Sequence, residues 1–223
     1  MPTNDVNALR VVVLISGSGS NLQALIDGVA TGDLPIEIAA VISNRPDVMG
    51  LTRAANANIP TVVLDHKGFS SREAFDQELM RVIDTYNPGL VVLAGFMRIL
   101  TPEFTEHYLG RMLNIHPSLL PKYQGLHTHQ RAIDAGETEH GVTVHFVTAE
   151  LDGGPAIVQA VVPVLPTDDA NLLAKRVQRQ EHVIYPLAVK WFAQGDLTMK
   201  EGKAVLKGET LPVCGHQIKT SEP

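Results

Sequence analysis

Cysteine is nearly absent from the 223 residues: Cys214 stands alone, so no intramolecular disulfide can form, nothing points to an oxidising compartment, and the cytoplasm is the expected setting. Long hydrophobic runs are missing too. The early apolar stretch at 11–15 is too brief for a signal-peptide core or a membrane span, so neither export nor membrane contact is expected. Nor is there an excess of positive charge, because 18 Lys and Arg face 24 Asp and Glu for a net −6. That balance disfavours a surface tracking the phosphates of duplex DNA or transfer RNA, and small molecules rather than nucleic acid are the expected partners. No repeat, low-complexity segment or linker interrupts the chain, which reads as a single domain over 1–223. What is present is ample apolar material. At 44% hydrophobic, a chain of this size buries roughly 70% of its unfolded surface, enough for a core without disulfides or metal.

Strand-like runs alternate with helical patterns, which predicts an α/β fold. Strands are expected at 10–16, 36–43, 61–64, 90–95 and 111–116, several apolar on both faces as in a parallel sheet covered by helices on each side. Two more are expected at 142–148 and 156–164, after a loop rich in Pro, Gly and His. The spacing of Leu22, Leu25, Ile26 and Val29 predicts a helix over 20–31, with Ser20 and Gln23 as capping box and Gly32 as stop. Ser70 and Glu73 play the same part for a helix over 70–87, and Pro88 follows it. A long helix is expected at 168–190, with Asp168 and Asp169 on its positive end. Beyond Trp191 the periodicity fades, so a loose tail is expected over 200–223 with a frayed terminus at 219–223.

Gly17-Ser18-Gly19-Ser20-Asn21 joins the first strand to the first helix, where backbone N–H groups and the positive helix end gather an anion. A plain tight turn reads equally well from this element alone. A dinucleotide fingerprint fails, since Leu22 stands where glycine is needed and the second strand closes with Ser43-Asn44 rather than an acid; the Walker pattern fails for want of its lysine.

In the fifth strand candidate, alternation puts Asn114 and His116 on one face, about 7 Å apart, at the carboxyl end where open α/β sheets place their ligand crevice. Asp152 begins a tight bend with Gly153, Gly154 and Pro155. An imidazole, a carboxylate to keep it protonated and an amide donor suit attack on a carbonyl, whereas each alone reads as an ordinary satisfied polar residue. Zinc held by His127 and His129 with His116, His140 or His145 is the rival reading, but there is no second cysteine and no H-E-x-x-H, and no metal is expected. Cys214, near His216 in the irregular tail, reads as an incidental thiol. Glu181 falls on the apolar stripe of Leu173, Val177 and Ile184, with Gln178 one turn earlier; it is either ligand-facing or a helix-edge residue covering its stem.

Taken together, ISGSGSNLQALID, VISNRPDVMGLTRA, FSSREAFDQEL, LAGFMRILTPEF, LNIHPSLLPKYQGLHTHQRAI, HGVTVHFVTAELDGGPAIVQA and RVQRQEHVIYPL resemble the phosphoribosylglycinamide formyltransferases, over about 11–198. The resemblance implies a Rossmann-like, mostly parallel twisted sheet with an antiparallel extension in the carboxyl-terminal half. It implies a phosphate-binding half at about 9–110 and a folate and catalytic half at about 111–200. The implied reaction moves the formyl group of the cosubstrate 10-formyltetrahydrofolate to the amino group of 5'-phosphoribosylglycinamide, a step of de novo purine (IMP) biosynthesis. Asn114, His116 and Asp152 would be catalytic, and Asn114 would also touch the folate. Gly19, Ser20 and Asn21 would hold the substrate phosphate, with Gln178 and Glu181 near its ribose and phosphate. Met97, Arg98, Ile99 and Leu100 would grip the folate ring by backbone contacts, and Arg72 would meet the folate side. Gln124 departs from the pattern, which has proline there, and leaves the stiffness of its loop open. Methionyl-tRNA formyltransferase and formyltetrahydrofolate deformylase share the N-x-H and D-G constellation, but each carries a further domain for which 223 residues leave no room. A non-catalytic relative would be marked by loss of one of the three residues. The sequence leaves the oligomeric state open, a homodimer included.

Overall fold

The computed structural model of the chain describes residues 7–221. In chain order, β1 (Leu9–Ile15), α1 (Ser20–Ala30), β2 (Ile36–Ser43), α2 (Met49–Asn56) and β3 (Thr61–Val63) are followed by α3 (Arg72–Thr85), β4 (Leu90–Leu93), α4 (Pro102–His107) and β5 (Met112–His116). Then come α5 (Thr128–Asp134), β6 (Glu139–Phe146), β7 (Ala156–Pro163), α6 (Ala170–Ala193) and four short strands, β8 (Leu197–Lys200), β9 (Lys203–Leu206), β10 (Glu209–Thr210) and β11 (His216–Lys219). Eight strands form one sheet in the order β11-β7-β6-β5-β4-β1-β2-β3. From β3 to β5 neighbouring strands are parallel, and β6 runs antiparallel to both β5 and β7.

The apolar run Val11–Ile15 of β1 is explained by its place in the middle of the sheet. Val11, Val13 and Ile15 pack into the layer of α1 and α6, while Val12 and Leu14 pack into that of α3 and α4, against Phe75, Leu79, Ile83, Phe104 and Tyr108. A strand covered on both faces has no reason to alternate with polar residues. The chain runs from β1 outward to β3 and then returns to β4 on the other side of β1, so the strand order reverses between β1 and β4. Carboxyl ends diverge there and leave a crevice.

Several expectations change at the element ends. Ser71, not Ser70, caps α3, its Oγ accepting from the Ala74 amide at 3.0 Å. No side chain caps α1; Gly19 occupies the cap position in the left-handed conformation, φ 72°, and Ser20 is already helical. Of the two aspartates before α6, Asp169 caps the helix and Asp168 pairs with buried Arg176 instead. A two-turn helix, α5, stands inside the stretch expected to be loop. The tail is not loose either: β8, β9 and β10 form a small antiparallel sheet, and β11 joins the main sheet parallel to β7. Of the terminus expected to fray, residues 222 and 223 lie outside the described residues. Among the described residues no helix is long and apolar enough to cross a membrane.

Two glycines set the β1–α1 turn against α2. A Cβ on Gly19 would lie 2.7 Å from the Gly50 Cα, and the Gly50 amide donates to the Gly17 carbonyl at 3.0 Å. Gly19→Ala combines this backbone clash with a left-handed φ and is expected to cost about 2–3 kcal/mol, lowering Tm by about 5–10 °C in a chain of this size. Thermal unfolding followed by circular dichroism checks it, and an unchanged Tm would contradict the packing described.

Candidate active site

The crevice is tied together by one hydroxyl. Ser16, just past β1, accepts from the Met97 amide at 2.8 Å and donates to Asn44 Oδ1 at 2.5 Å, linking the carboxyl ends of β1, β4 and β2. Immediately beyond it the Gly17–Asn21 turn opens onto the amino end of α1. From the far side α6 reaches the same turn, where Gln178 Nε2 donates to Ser20 Oγ at 3.3 Å. Gly19, Ser20, Asn21 and Gln178 are therefore brought together, and Glu181 lies one turn further along α6. Burial alone pushes the Glu181 carboxyl up to about 7, because an ion loses hydration there without gaining a partner. Asn21 Oδ1 is likewise buried without a hydrogen-bond partner.

On the other side of β4, the strand β5 presents Asn114 and His116. His116 is 7% exposed. Its Nε2 faces the Tyr123 carbonyl at 2.9 Å and its Nδ1 faces Asp152 Oδ1 at 3.6 Å. A carbonyl oxygen accepts only, so Nε2 carries the hydrogen. A bare lone pair at Nδ1 would then oppose a carboxylate oxygen, whereas a proton there is attracted to it. Asp152 has φ 52°, a left-handed conformation that few side-chain-bearing residues adopt, and its Oδ2 accepts from the Gly125 amide at 3.0 Å. Gln124 Nε2 reaches the Asp152 carbonyl at 3.4 Å, so the glutamine that replaces the expected proline supplies a side-chain tether to the acid.

Arg98, Ile99, Leu100, Asn114, His145 and Asp152 border one cleft. His145 is buried with Nδ1 at 2.9 Å from the Phe146 carbonyl, which makes Nε2 a bare acceptor, and that atom has no partner. Arg98 stacks over the Phe75 ring at 4.3 Å, and its Nε, a donor, is also buried and unpaired. A cleft with one unused acceptor and one unused donor fits a flat heterocycle bearing both N–H and carbonyl groups. Met97, unlike its three successors, does not border the cleft: its amide is engaged by Ser16 and the residue is 63% exposed. Arg72 opens α3 outside the cleft lining, and its charge, like that of Arg98, bears on the buried Asp76 carboxyl.

The histidines of the metal reading do not converge. His129 Nδ1 meets His140 Nε2 at 3.1 Å, but His127 sits exposed at the start of α5 and His145 stands apart. Among the described residues no group of three or more His, Cys, Asp or Glu is placed to hold a metal ion. Cys214 is half-buried in the connection to β11, with its thiol directed at the Gly215 carbonyl.

Sequence reading missed the groups that hold the catalytic segment. Thr143 and Gln159 face each other across β6 and β7. Thr143 Oγ1 donates to the Ser118 carbonyl at 2.7 Å and accepts from the Leu120 amide at 3.1 Å, while Gln159 Nε2 donates to the Leu120 carbonyl at 2.8 Å. Buried polar residues within apolar strands were the available signal, since such groups persist only with partners.

Fold and site together fit a group transferase of the acyl type: the Gly17–Asn21 turn and a polar cleft flank Asn114, His116 and Asp152 at the carboxyl ends of the central strands. Residues 9–189 match the family model described as formyl transferase, and the chain belongs to that family. It is 57% identical over 208 residues to the phosphoribosylglycinamide formyltransferase of Escherichia coli K12, across 93% of this chain and 98% of that protein. The Haemophilus influenzae protein of the same name is 50% identical over 207 residues, with coverage of 93% and 98%. A solved phosphoribosylglycinamide formyltransferase from Coxiella burnetii superposes with a TM-score of 0.92 at 54% identity, covering 95% of this chain and 99% of that one.

The buried Glu181 makes stability depend on pH with a definite sign. The folded state holds the proton up to about pH 7, while the unfolded chain releases it near the ordinary carboxylate value. Stability is therefore lost as pH rises between the two, by at most about 3 kcal/mol. Glu181→Gln is expected to raise the Tm of the unliganded protein progressively more from pH 5 to pH 8, with no further gain above. A gain independent of pH would contradict this.

Proposed function

We propose that the chain transfers the formyl group of 10-formyltetrahydrofolate to the amino group of 5'-phosphoribosylglycinamide, yielding the formylated ribonucleotide and tetrahydrofolate. The reaction is a step of de novo purine (IMP) synthesis in the cytoplasm. The observation that carries the reading is the near-dry placement of His116 between two oxygens beside Asn114, at the end of a strand that opens onto the crevice. The named relatives support the choice of acceptor and donor.

In the proposed reaction the substrate amine attacks the formyl carbon, the new C–N bond forms, and the carbonyl oxygen takes on negative charge. Asn114 donates a hydrogen bond to that oxygen, and His116 would add a second donor once its Nε2–H turns from the Tyr123 carbonyl toward the adduct. Collapse of the adduct breaks the bond between the formyl carbon and the folate nitrogen, which receives the proton given up by the attacking amine through His116 or a water held at Asp152. Asp152 orients the His116 ring for this transfer. Gly19, Ser20, Asn21 and Gln178 would hold the ribonucleotide phosphate, with Glu181 toward the ribose. The 97–100 segment and Asn114 would hold the folate ring, and Arg72 the outer part of the folate.

A water acceptor, as in a deformylase, would leave the anion turn and Glu181 without work, which favours a phosphate-bearing amine. A non-catalytic relative is disfavoured because all three groups are retained and converge. Asp152→Asn is expected to lower kcat by about 10²–10⁴-fold while KM for either substrate stays within a few fold. Steady-state formyl transfer to the ribonucleotide, with water and a sugar amine as rival acceptors, tests both claims; a loss carried equally by KM would remove Asp152 from the chemistry.

A further inference from the structure

Resting on the reading of the Gly17–Asn21 turn as the phosphate subsite, we infer that Arg53 of α2 supplies the positive charge that meets the substrate phosphate there. A phosphate monoester carries close to two negative charges at neutral pH, and a helix amino end offers only about half a positive charge. The turn itself contains no Lys or Arg, and the protein as a whole is negative. Arg53 is fastened to the turn from the neighbouring helix: its Nε donates to the Ser18 carbonyl at 2.8 Å and its Nη1 to Gln23 Oε1 at 3.4 Å. Both acceptors are neutral. No ion pair among the described residues includes Arg53; the carboxylate that shares a recess with it, Asp27, is held by Gln23 Nε2 at 2.8 Å, and most of the five guanidinium donors remain for a ligand.

Its position is enforced by packing. Gly19 and Gly50 lie in direct backbone contact, and a Cβ on Gly19 would come within 3.4 Å of the Arg53 Cδ. The two missing side chains are what let α2 approach the turn closely enough for its arginine to reach around it. Beside Ser20 the guanidinium borders a recess shared with Gln23 and His182, and with Asp27 two turns along α1. His182 Nε2 is buried in that neighbourhood without a partner. Burial and the adjacent Arg53 hold its pKa below the ordinary histidine range, so the arginine is the standing cation of the recess.

Arg53→Gln and Arg53→Lys separate charge from bracing, because lysine keeps the first and loses most of the second. The measurement is kcat/KM for the ribonucleotide divided by kcat/KM for its dephosphorylated riboside. In wild type this ratio is well above one. Arg53→Gln is expected to lower it by about 10–100-fold through the KM of the ribonucleotide, and Arg53→Lys to retain most of it. In parallel, inorganic phosphate raises the Tm of wild type and Arg53→Lys but not of Arg53→Gln. An unchanged ratio in Arg53→Gln, or equal loss on nucleotide and riboside, overturns the role given to Arg53 alone. A wild-type ratio near one overturns the phosphate reading of the turn and the Arg53 role with it.

Discussion

Most of the molecule is arranged so that one imidazole stays between two oxygens with almost no water present. Neither the Tyr123 carbonyl nor the Asp152 carboxylate approaches His116 by local necessity, since one lies 7 residues and the other 36 residues further along the chain. Each has to be delivered. Tyr123 comes from a segment pinned at Ser118 and Leu120 by the buried Thr143 and Gln159. Asp152 comes from a left-handed bend whose conformation costs about 1–2 kcal/mol for a non-glycine residue and is held by the Gly125 amide. The antiparallel turn of the sheet at β6 makes this possible, because it folds the Thr143 strand directly against β5.

In the proposed reaction two substrates have to meet at that imidazole, and the sheet topology provides two approaches. Reversal of strand order between β1 and β4 puts the anion turn on one side of the gap and the 97–100 segment on the other. Ser16 joins them: by accepting from Met97 and donating to Asn44 it fixes the spacing between the turn that follows it and the segment that begins at Met97. A reaction that depends on near-contact of two bound molecules tolerates little error in that spacing. A single buried hydroxyl, with both its roles satisfied, is a stiff way to set it.

What could be read from the sequence follows from where the information lies. Of the seven strands expected in the first 164 residues, all but the short, largely exposed β3 were visible because their apolar runs are buried on both faces, and α1, α3 and α6 because their stripes span three turns or more. Asn114 and His116 were visible as polar residues sharing a strand face at a proline stop. The helices α2, α4 and α5, of six to eight residues, are too short for periodicity to declare them. The strands β8 to β11 are two to four residues long and partly exposed, so their pairing is decided by the surface they land on rather than by their own composition. The shift of the α3 cap from Ser70 to Ser71 shows a similar limit: two adjacent serines satisfy the same pattern, and the helix register chooses between them. Arg53 was beyond reach because its partner Ser18 is 35 residues away, across a helix and a strand.

The site also carries charges that the protein alone does not neutralise. The half-buried Glu181 has a desolvated carboxyl with no counter-ion, Arg53 has no carboxylate within ion-pair distance, and the buried Asp76, only partly offset by Arg98 and Arg72, keeps one oxygen unpaired. In a structure selected for stability alone, apolar or smaller residues at these places would serve better. On the proposed function, the compensating partners would arrive with the ligands: a phosphate for the guanidinium, hydroxyls for the carboxylate, ring donors and acceptors for Arg98 and His145. Unfavourable hydration is then relieved on binding instead of on folding. Affinity and orientation come from the same groups, which ties substrate recognition to the precision that the transfer at His116 requires.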